Sequence, residues 1–146
     1  MKAAKRGFWR DRKGATAVEF SMVALPFVLL VFGTIEFGRA LWARETLHAV
    51  AIAGARCMGL VQTGCGTSGT YSSSMATTYV QSVASSWGMS LPSSGITVSN
   101  SATCAGVTGF SQVTLSYAFQ TAVPTLIAPL VGGLPLTASS CFPNQT

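Results

Sequence analysis

The sequence predicts an α+β chain: one long N-terminal helix, half in a membrane and half beyond it, carrying a small domain. That domain is expected to hold a second helix and a roughly three-stranded antiparallel sheet. Three observations predict this. An apolar run of membrane length, Ala15–Ile35, passes without a breaker into helix-forming residues that end near Leu60. Apolar side chains then recur at spacings of three and four over 71–88. After Pro92 the apolar period changes to two. The expected divisions are residues 1–14 as a basic leader, 15–60 as the long helix, spanning the membrane to about 37, and 61–146 as the α+β domain.

Charge sets the topology. Lys2, Lys5, Arg6, Arg10, Arg12 and Lys13 precede Gly14 against the single acid Asp11, so the leader holds the whole formal net charge of +5. Beyond it Arg39, Arg44 and Arg56 cancel Glu19, Glu36 and Glu45, and no Lys, Arg, Asp or Glu occurs from Cys57 to Thr146. The basic balance therefore describes a leader and gives no sign of a nucleic-acid partner. Ala15–Ile35 carries Glu19 as its one charge, and at ~1.5 Å per residue it covers the ~30 Å hydrocarbon core. With basic residues on its N-terminal flank, the positive-inside rule puts 1–14 in the cytoplasm and the rest outside. A cleaved secretory signal has a shorter apolar core, ~7–15 residues, and a small-x-small site after it. The run here is longer and continues into IEFGRALWARETLHA, which favours a retained anchor.

The helix is expected to continue past the membrane. Leu41, Glu45, His48, Ile52 and Arg56 keep its spacing until the Gly-rich VQTGCGTSGT breaks it. Ala15 to Leu60 makes ~70 Å of helix, with a possible bend at Pro26, which lacks a backbone donor. Ala49 and Ala53, four apart in a stretch of small residues, either form a close-packing face or reflect alanine's helix propensity alone.

Residues 61–70 read as a loop and 71–88 as the second helix, with serines 72–74 suited to its N-cap and Gly88 to its C-terminal end. Met75, Tyr79, Val83 and Trp87 form one stripe, with Ala76, Val80 and Ala84 beside it; such a stripe is core more often than cofactor site. Strands follow around Ile96 and Val98, around Val113, Leu115, Tyr117 and Phe119, and around Leu134, Leu136 and Ala138. Pro124–Val131 reads as a short helix or an apolar loop. The roughly 85 residues beyond the long helix suffice for one small core.

Cys57, Cys65, Cys104 and Cys141 all fall on the side placed outside the cytoplasm, where an even count suggests two disulfides. Four cysteines allow three pairings. The favoured one joins Cys57 to Cys65, closing the loop after the long helix, and Cys104 to Cys141, tying the strands to the C-terminal tail. No C-x-x-C is present and His48 is the only histidine, so no metal site is expected. With no carboxylate beyond Glu45, no Ser-His-Asp set and no phosphate or dinucleotide loop, no catalytic residues, cofactor or small-molecule substrate are expected.

The segment GATAVEFSMVALPFVLLVFGTIEFGRAL resembles the N-terminal signature of TadE-like pseudopilins, minor components of bacterial tight-adherence (Tad, or Flp) pilus systems. The similar features are Gly14, the pair Glu19-Phe20, Pro26, and Glu36-Phe37-Gly38-Arg39, with Ala53-Gly54-Ala55-Arg56 similar to that family's helix end. VTLSYAFQTAVPTLIAPL followed by LPLTAS is a looser similarity. TadF-like proteins share the N-terminal signature and rank second.

The resemblance implies processing between Gly14 and Ala15 by a membrane-embedded prepilin peptidase, in the context Gly14, Ala15, Glu19 and Phe20. It implies a role for Glu19 in assembly, and partners among the inner membrane, other pilins and the pilus assembly platform. The expected location is the bacterial inner membrane, N-terminus cytoplasmic and domain periplasmic, with possible entry into an extracellular pilus. Glycine before the cut suits an extended chain in a protease groove. Glu19 would pair with the new ammonium of Ala15, its own or a neighbour's, or else lie at the headgroups beside Lys13 or Arg12. A single-pass protein with a periplasmic binding or structural domain, unrelated to pili, is the alternative. A secreted enzyme or inhibitor is disfavoured because the apolar run lacks a cleavage region.

Overall fold

The structure is a computed structural model and describes residues 13–120 and 135–145. The chain divides into two compact units, Met1–Phe37 and Gly38–Thr146. Helix α1, Lys13–Gly59, contributes to both. Two short strands follow, β1 (Gly66–Thr67) and β2 (Thr70–Tyr71), then helix α2 (Ser73–Ser86), a single 3-10 turn at Ser93–Gly95, and strands β3 (Ile96–Cys104), β4 (Val107–Ala118) and β5 (Pro135–Pro143). The expected α+β class and three-stranded antiparallel sheet are present, in the order β3-β4-β5. The Pro124–Val131 segment and Leu134 lie outside the described residues, as does most of the leader.

In the first unit α1 is apolar around most of its circumference. Phe20, Phe27, Phe32 and Phe37 are all exposed. Ser21 Oγ donates to the Val18 carbonyl at 2.8 Å, and Thr34 Oγ1 donates to the Leu30 carbonyl, so these hydroxyls are satisfied within the helix. That arrangement suits a medium without water, where every polar group needs an internal partner. Pro26 lies inside the helix and leaves the carbonyl of Met22, one turn earlier, without its usual donor.

The second unit packs the distal part of α1 against α2 and the sheet. Ala43, Leu47, Val50, Ala51, Ala55 and Met58 form the buried face of the helix. Leu41, Glu45, Ile52 and Arg56, which mark the helical spacing in the sequence, point to solvent instead. The small-residue packing face is displaced in the same way: Ala49 is exposed and Ala53 only half-buried, whereas Ala51 and Ala55 are fully buried. Closest approach falls at Gly54, where an added Cβ would meet Val80 and Val113, and at Gly59, where it would meet Phe142 at 2.6 Å.

Helix α2 is shorter than the sequence suggests. Ala76, Val80 and Ala84 are its buried stripe, Met75, Tyr79 and Val83 flank it half-buried, and Trp87 has left both helix and core. Ser72 holds the N-cap position with extended backbone but makes no side-chain cap bond, because its hydroxyl is 3.1 Å from that of Ser74. The C-terminal end closes as a Schellman motif: Met89 N–H donates to the Ala84 carbonyl and Gly88 N–H to that of Ser85. Gly88 has φ +73, and Met89 is buried against the core.

Residues 61–70 are not a plain loop. Strands β1 and β2 pair across Ser68 (φ 54) and Gly69 (φ 76), a two-residue turn with both central φ positive. The same geometry joins β3 to β4 through Ala105 (φ 51) and Gly106 (φ 84). Along the sheet, Leu115 lies between Ile96 and Ala138, and Val113 between Val98 and Ser140. These rows give the sheet its core face, and Tyr117 pairs with Leu136 in the next. Phe119 lies just past the end of β4.

Candidate functional site

Gly14 and Ala15 lie within the first turn of the described helix, and a Cβ on Gly14 would meet nothing within 4 Å. Glycine has low helix propensity. Glu19 is exposed, four residues after Ala15 and so on the same helical face, ~6 Å further along the axis. Phe20 beside it is also exposed. The helix thus brings backbone position 15 and the Glu19 carboxylate together, and leaves the aromatic ring on an adjacent face.

The cysteines stand far along the chain from that group. Cys57 is bonded to Cys65, and Cys104 to Cys141, which is the favoured pairing. The first bridge is wholly buried and closes the end of α1 onto β1. Beside it the Gln62 N–H donates to the Cys57 carbonyl at 3.0 Å and the Val61 N–H to that of Met58, with Val61 at φ 44. A β-branched residue at positive φ is a backbone outlier, held here by the turn and the bridge together. The second bridge links strands that are not neighbours, since β4 lies between β3 and β5. Its Cα atoms are 6.5 Å apart, less than the ~9.6 Å of two strand spacings. The β3–β4 hairpin end must leave the sheet plane to reach Cys141. Register shifts after Ser99 and Ala102 and a positive φ of 89 at Gly109 supply that bend.

Two contacts in this unit carry no sequence signal. Asn144 ties the sheet's far end together: its Nδ2 donates to the Asn100 carbonyl at 2.7 Å, its Oδ1 accepts from the buried Ser111 hydroxyl at 2.7 Å, and its N–H donates to the Gly109 carbonyl. Arg39 lies over the Phe119 ring, 5.6 Å from its centroid. Both depend on long-range folding that periodicity does not report. The Tyr71 hydroxyl is buried with no hydrogen-bond partner among the described residues, and burial raises its pKa above the usual tyrosine value. Among the described residues no three metal-ligating side chains are grouped.

A model of the TadE-like protein family matches residues 14–56. The match begins at Gly14 and ends one residue before Cys57, so it covers α1 and not the α2 and sheet region beyond. No curated protein and no solved structure matches the chain. The matched helix is long and apolar enough to cross a membrane, with none of its most apolar stretch buried within the chain, which makes it a candidate membrane anchor.

Proposed function

We propose that the chain is a minor pilin or pseudopilin of a Tad/Flp-type adhesive pilus. It is made as a prepilin, cut between Gly14 and Ala15 by a membrane-embedded peptidase, and held in the bacterial inner membrane with the leader cytoplasmic and the disulfide-bonded unit periplasmic. Its role is non-enzymatic and needs no cofactor: it initiates or assists assembly with other pilins on the assembly platform. The observation that carries this reading is the coincidence of two boundaries. The TadE-like match starts at Gly14, and the same glycine separates the basic leader from the exposed apolar run Ala15–Ile35, whose one acid, Glu19, lies five residues on.

Cleavage removes the +5 of the leader and creates an ammonium at Ala15 on the face of Glu19. An acid within a bilayer costs a few kcal/mol or more unless paired. Pairing with the ammonium of an adjacent copy offsets the burial of both charges and fixes an axial register for assembly. The disulfides fit the oxidising side of the membrane.

The test is intact mass and N-terminal sequencing of the protein from native membranes, with and without the cognate prepilin peptidase. A mature chain starting at Ala15 only when the peptidase is present is expected. A chain retaining its leader in both would sink the prepilin reading and leave the alternative, a single-pass anchored protein unrelated to pili.

A further inference from the structure

At one end of the unit that starts at Gly38, three separate elements converge. Arg39 and Trp42 from α1, Gly88 and Met89 after α2, and Tyr117 and Phe119 from the end of β4 line a cleft of about 160 Å³. Trp87 directly precedes Gly88. Trp42 and Trp87 come from different helices, and each is 51% exposed. Ala51 and Ala76 are completely buried, whereas both tryptophans present about half of a large ring to the outside. Their large, mostly apolar rings with one N–H donor suit the boundary between lipid and water better than either phase.

In the sequence Trp42 comes five residues after Phe37, and five residues of helix rise roughly 7–8 Å. The polar layer on each side of the hydrocarbon is roughly 5–8 Å thick. Phe119 lies against Arg39, which precedes Trp42 by three residues, and the stretch that supplies Trp87, Met89, Tyr117 and Phe119 carries no charge to desolvate.

We propose that this end of the unit rests in the headgroup layer of the bilayer that α1 crosses, with Trp42 and Trp87 as interfacial anchors. The proposal rests on α1 as a membrane span and is independent of the pilus reading. Trp87 decides it. Trp42 reaches the interface by its place on α1 alone, whereas Trp87 does so only if the folded unit lies against the lipid.

The full chain, reconstituted at high lipid excess in phosphatidylcholine vesicles, provides the test. Trp9→Phe with Trp42→Phe leaves Trp87 as the only fluorophore, and Trp9→Phe with Trp87→Phe leaves Trp42. Both are expected to emit blue-shifted light, to resist aqueous iodide, and to lose more emission to lipids brominated near the headgroup than to those brominated deep in the tails. Adding Phe27→Trp to a chain lacking all three native tryptophans should reverse that preference and so verify insertion. Trp87 quenched by iodide and untouched by brominated lipid would overturn the proposal. So would Trp87 protection that disappears on further dilution into lipid, which would assign the patch to a second copy. A Phe27→Trp probe unquenched by any brominated lipid would remove the span itself, and the proposal with it.

Discussion

Gly54 on α1 and Val80 on α2 meet with no space for a methyl group: a Cβ on Gly54 would lie 2.7 Å from Cγ2 of Val80 and 3.2 Å from Cγ2 of Val113. Alanine is favoured over glycine in a helix by about 1 kcal/mol, but forcing a carbon into a packed core costs about 1–3 kcal/mol. Both neighbours are fully buried valines, one on α2 and one on the central strand, so neither can swing away, and the clash outweighs the propensity gain. Gly54→Ala is expected to destabilise the unit by about 1 kcal/mol. Urea unfolding of the full chain in detergent, followed by near-UV circular dichroism, measures it. Adding Val80→Ala, which opens the space, should cost less in the Gly54→Ala background than alone, a coupling that residues in contact show.

That contact marks how far the sequence could be read. Helical spacing located α1 and α2, and strict alternation at Val113, Leu115 and Tyr117 located the central strand, because those patterns follow from 3.6- and 2-residue periods. Which face is buried did not follow. Leu41 and Ile52 stay exposed although apolar, while the core takes Leu47, Val50 and Met58 together with Ala51 and Ala55, and the small Gly54 falls where α1 approaches α2 most closely. Trp87 falls on the apolar stripe of α2 by spacing, but the Gly88 turn carries it out of the core. The β1–β2 hairpin leaves no sequence signal because its strands have two residues each and so no alternation. Of the candidate site, the group Gly14, Ala15, Glu19 was legible because it is local in the chain. Asn144 and Phe119 act across more than thirty residues and left no trace in spacing.

The two disulfides differ in access, and that sets an order of reduction. Cys57 and Cys65 are fully buried, whereas Cys104 is half-buried and Cys141 exposed. A thiolate reductant must reach a sulfur to exchange with it. Under mild dithiothreitol at pH 8, alkylation and peptide mass mapping should find Cys104 and Cys141 labelled first. The bridges span 8 and 37 residues, and the chain-entropy model assigns them about 2.5 and about 4 kcal/mol. Removing the exposed bridge by paired Cys→Ala substitution is therefore expected to lower stability more than removing the buried one, less whatever cavity the latter leaves. Equal labelling rates at both bridges would contradict the difference in burial.

Tyr71 makes the unit sensitive to alkali. Desolvation raises its pKa in the folded chain above the ordinary tyrosine value of about 10. The unfolded chain then loses its phenolic proton first as pH rises. The contribution is fully present below pH 10 and is lost as the pH climbs toward the raised folded value. Its hydroxyl has no partner among the described residues, so Tyr71→Phe removes an unsatisfied group at no loss of a hydrogen bond. The variant is expected to match or slightly exceed the native stability at pH 7, and to lose less stability between pH 9 and 11. Thermal unfolding across that range checks both; a Tyr71→Phe chain clearly weaker at pH 7 would mean that the hydroxyl is bonded.

Glu19 distinguishes assembly from processing. Glu19 is exposed one turn after Ala15, so in the proposed prepilin it would serve the new ammonium and not the bond that is cut. Glu19→Ala removes the charge and Glu19→Gln retains the shape, and both should be cleaved after Gly14 at close to the native rate. Both should also fail to support pili, because an ammonium at Ala15 would enter the filament without a counter-charge. The size of that penalty, a few kcal/mol for an unpaired ion in a bilayer-like medium, is a loss of at least tenfold in assembled material. Glu19→Asp keeps the charge on a stem shorter by one methylene and should restore part of it. Immunoblots of sheared pili beside blots of mature and precursor protein separate the two steps. If Glu19→Gln assembled normally, the charge pair would have no part in register, and the carboxylate would be left as an interfacial group at the headgroups.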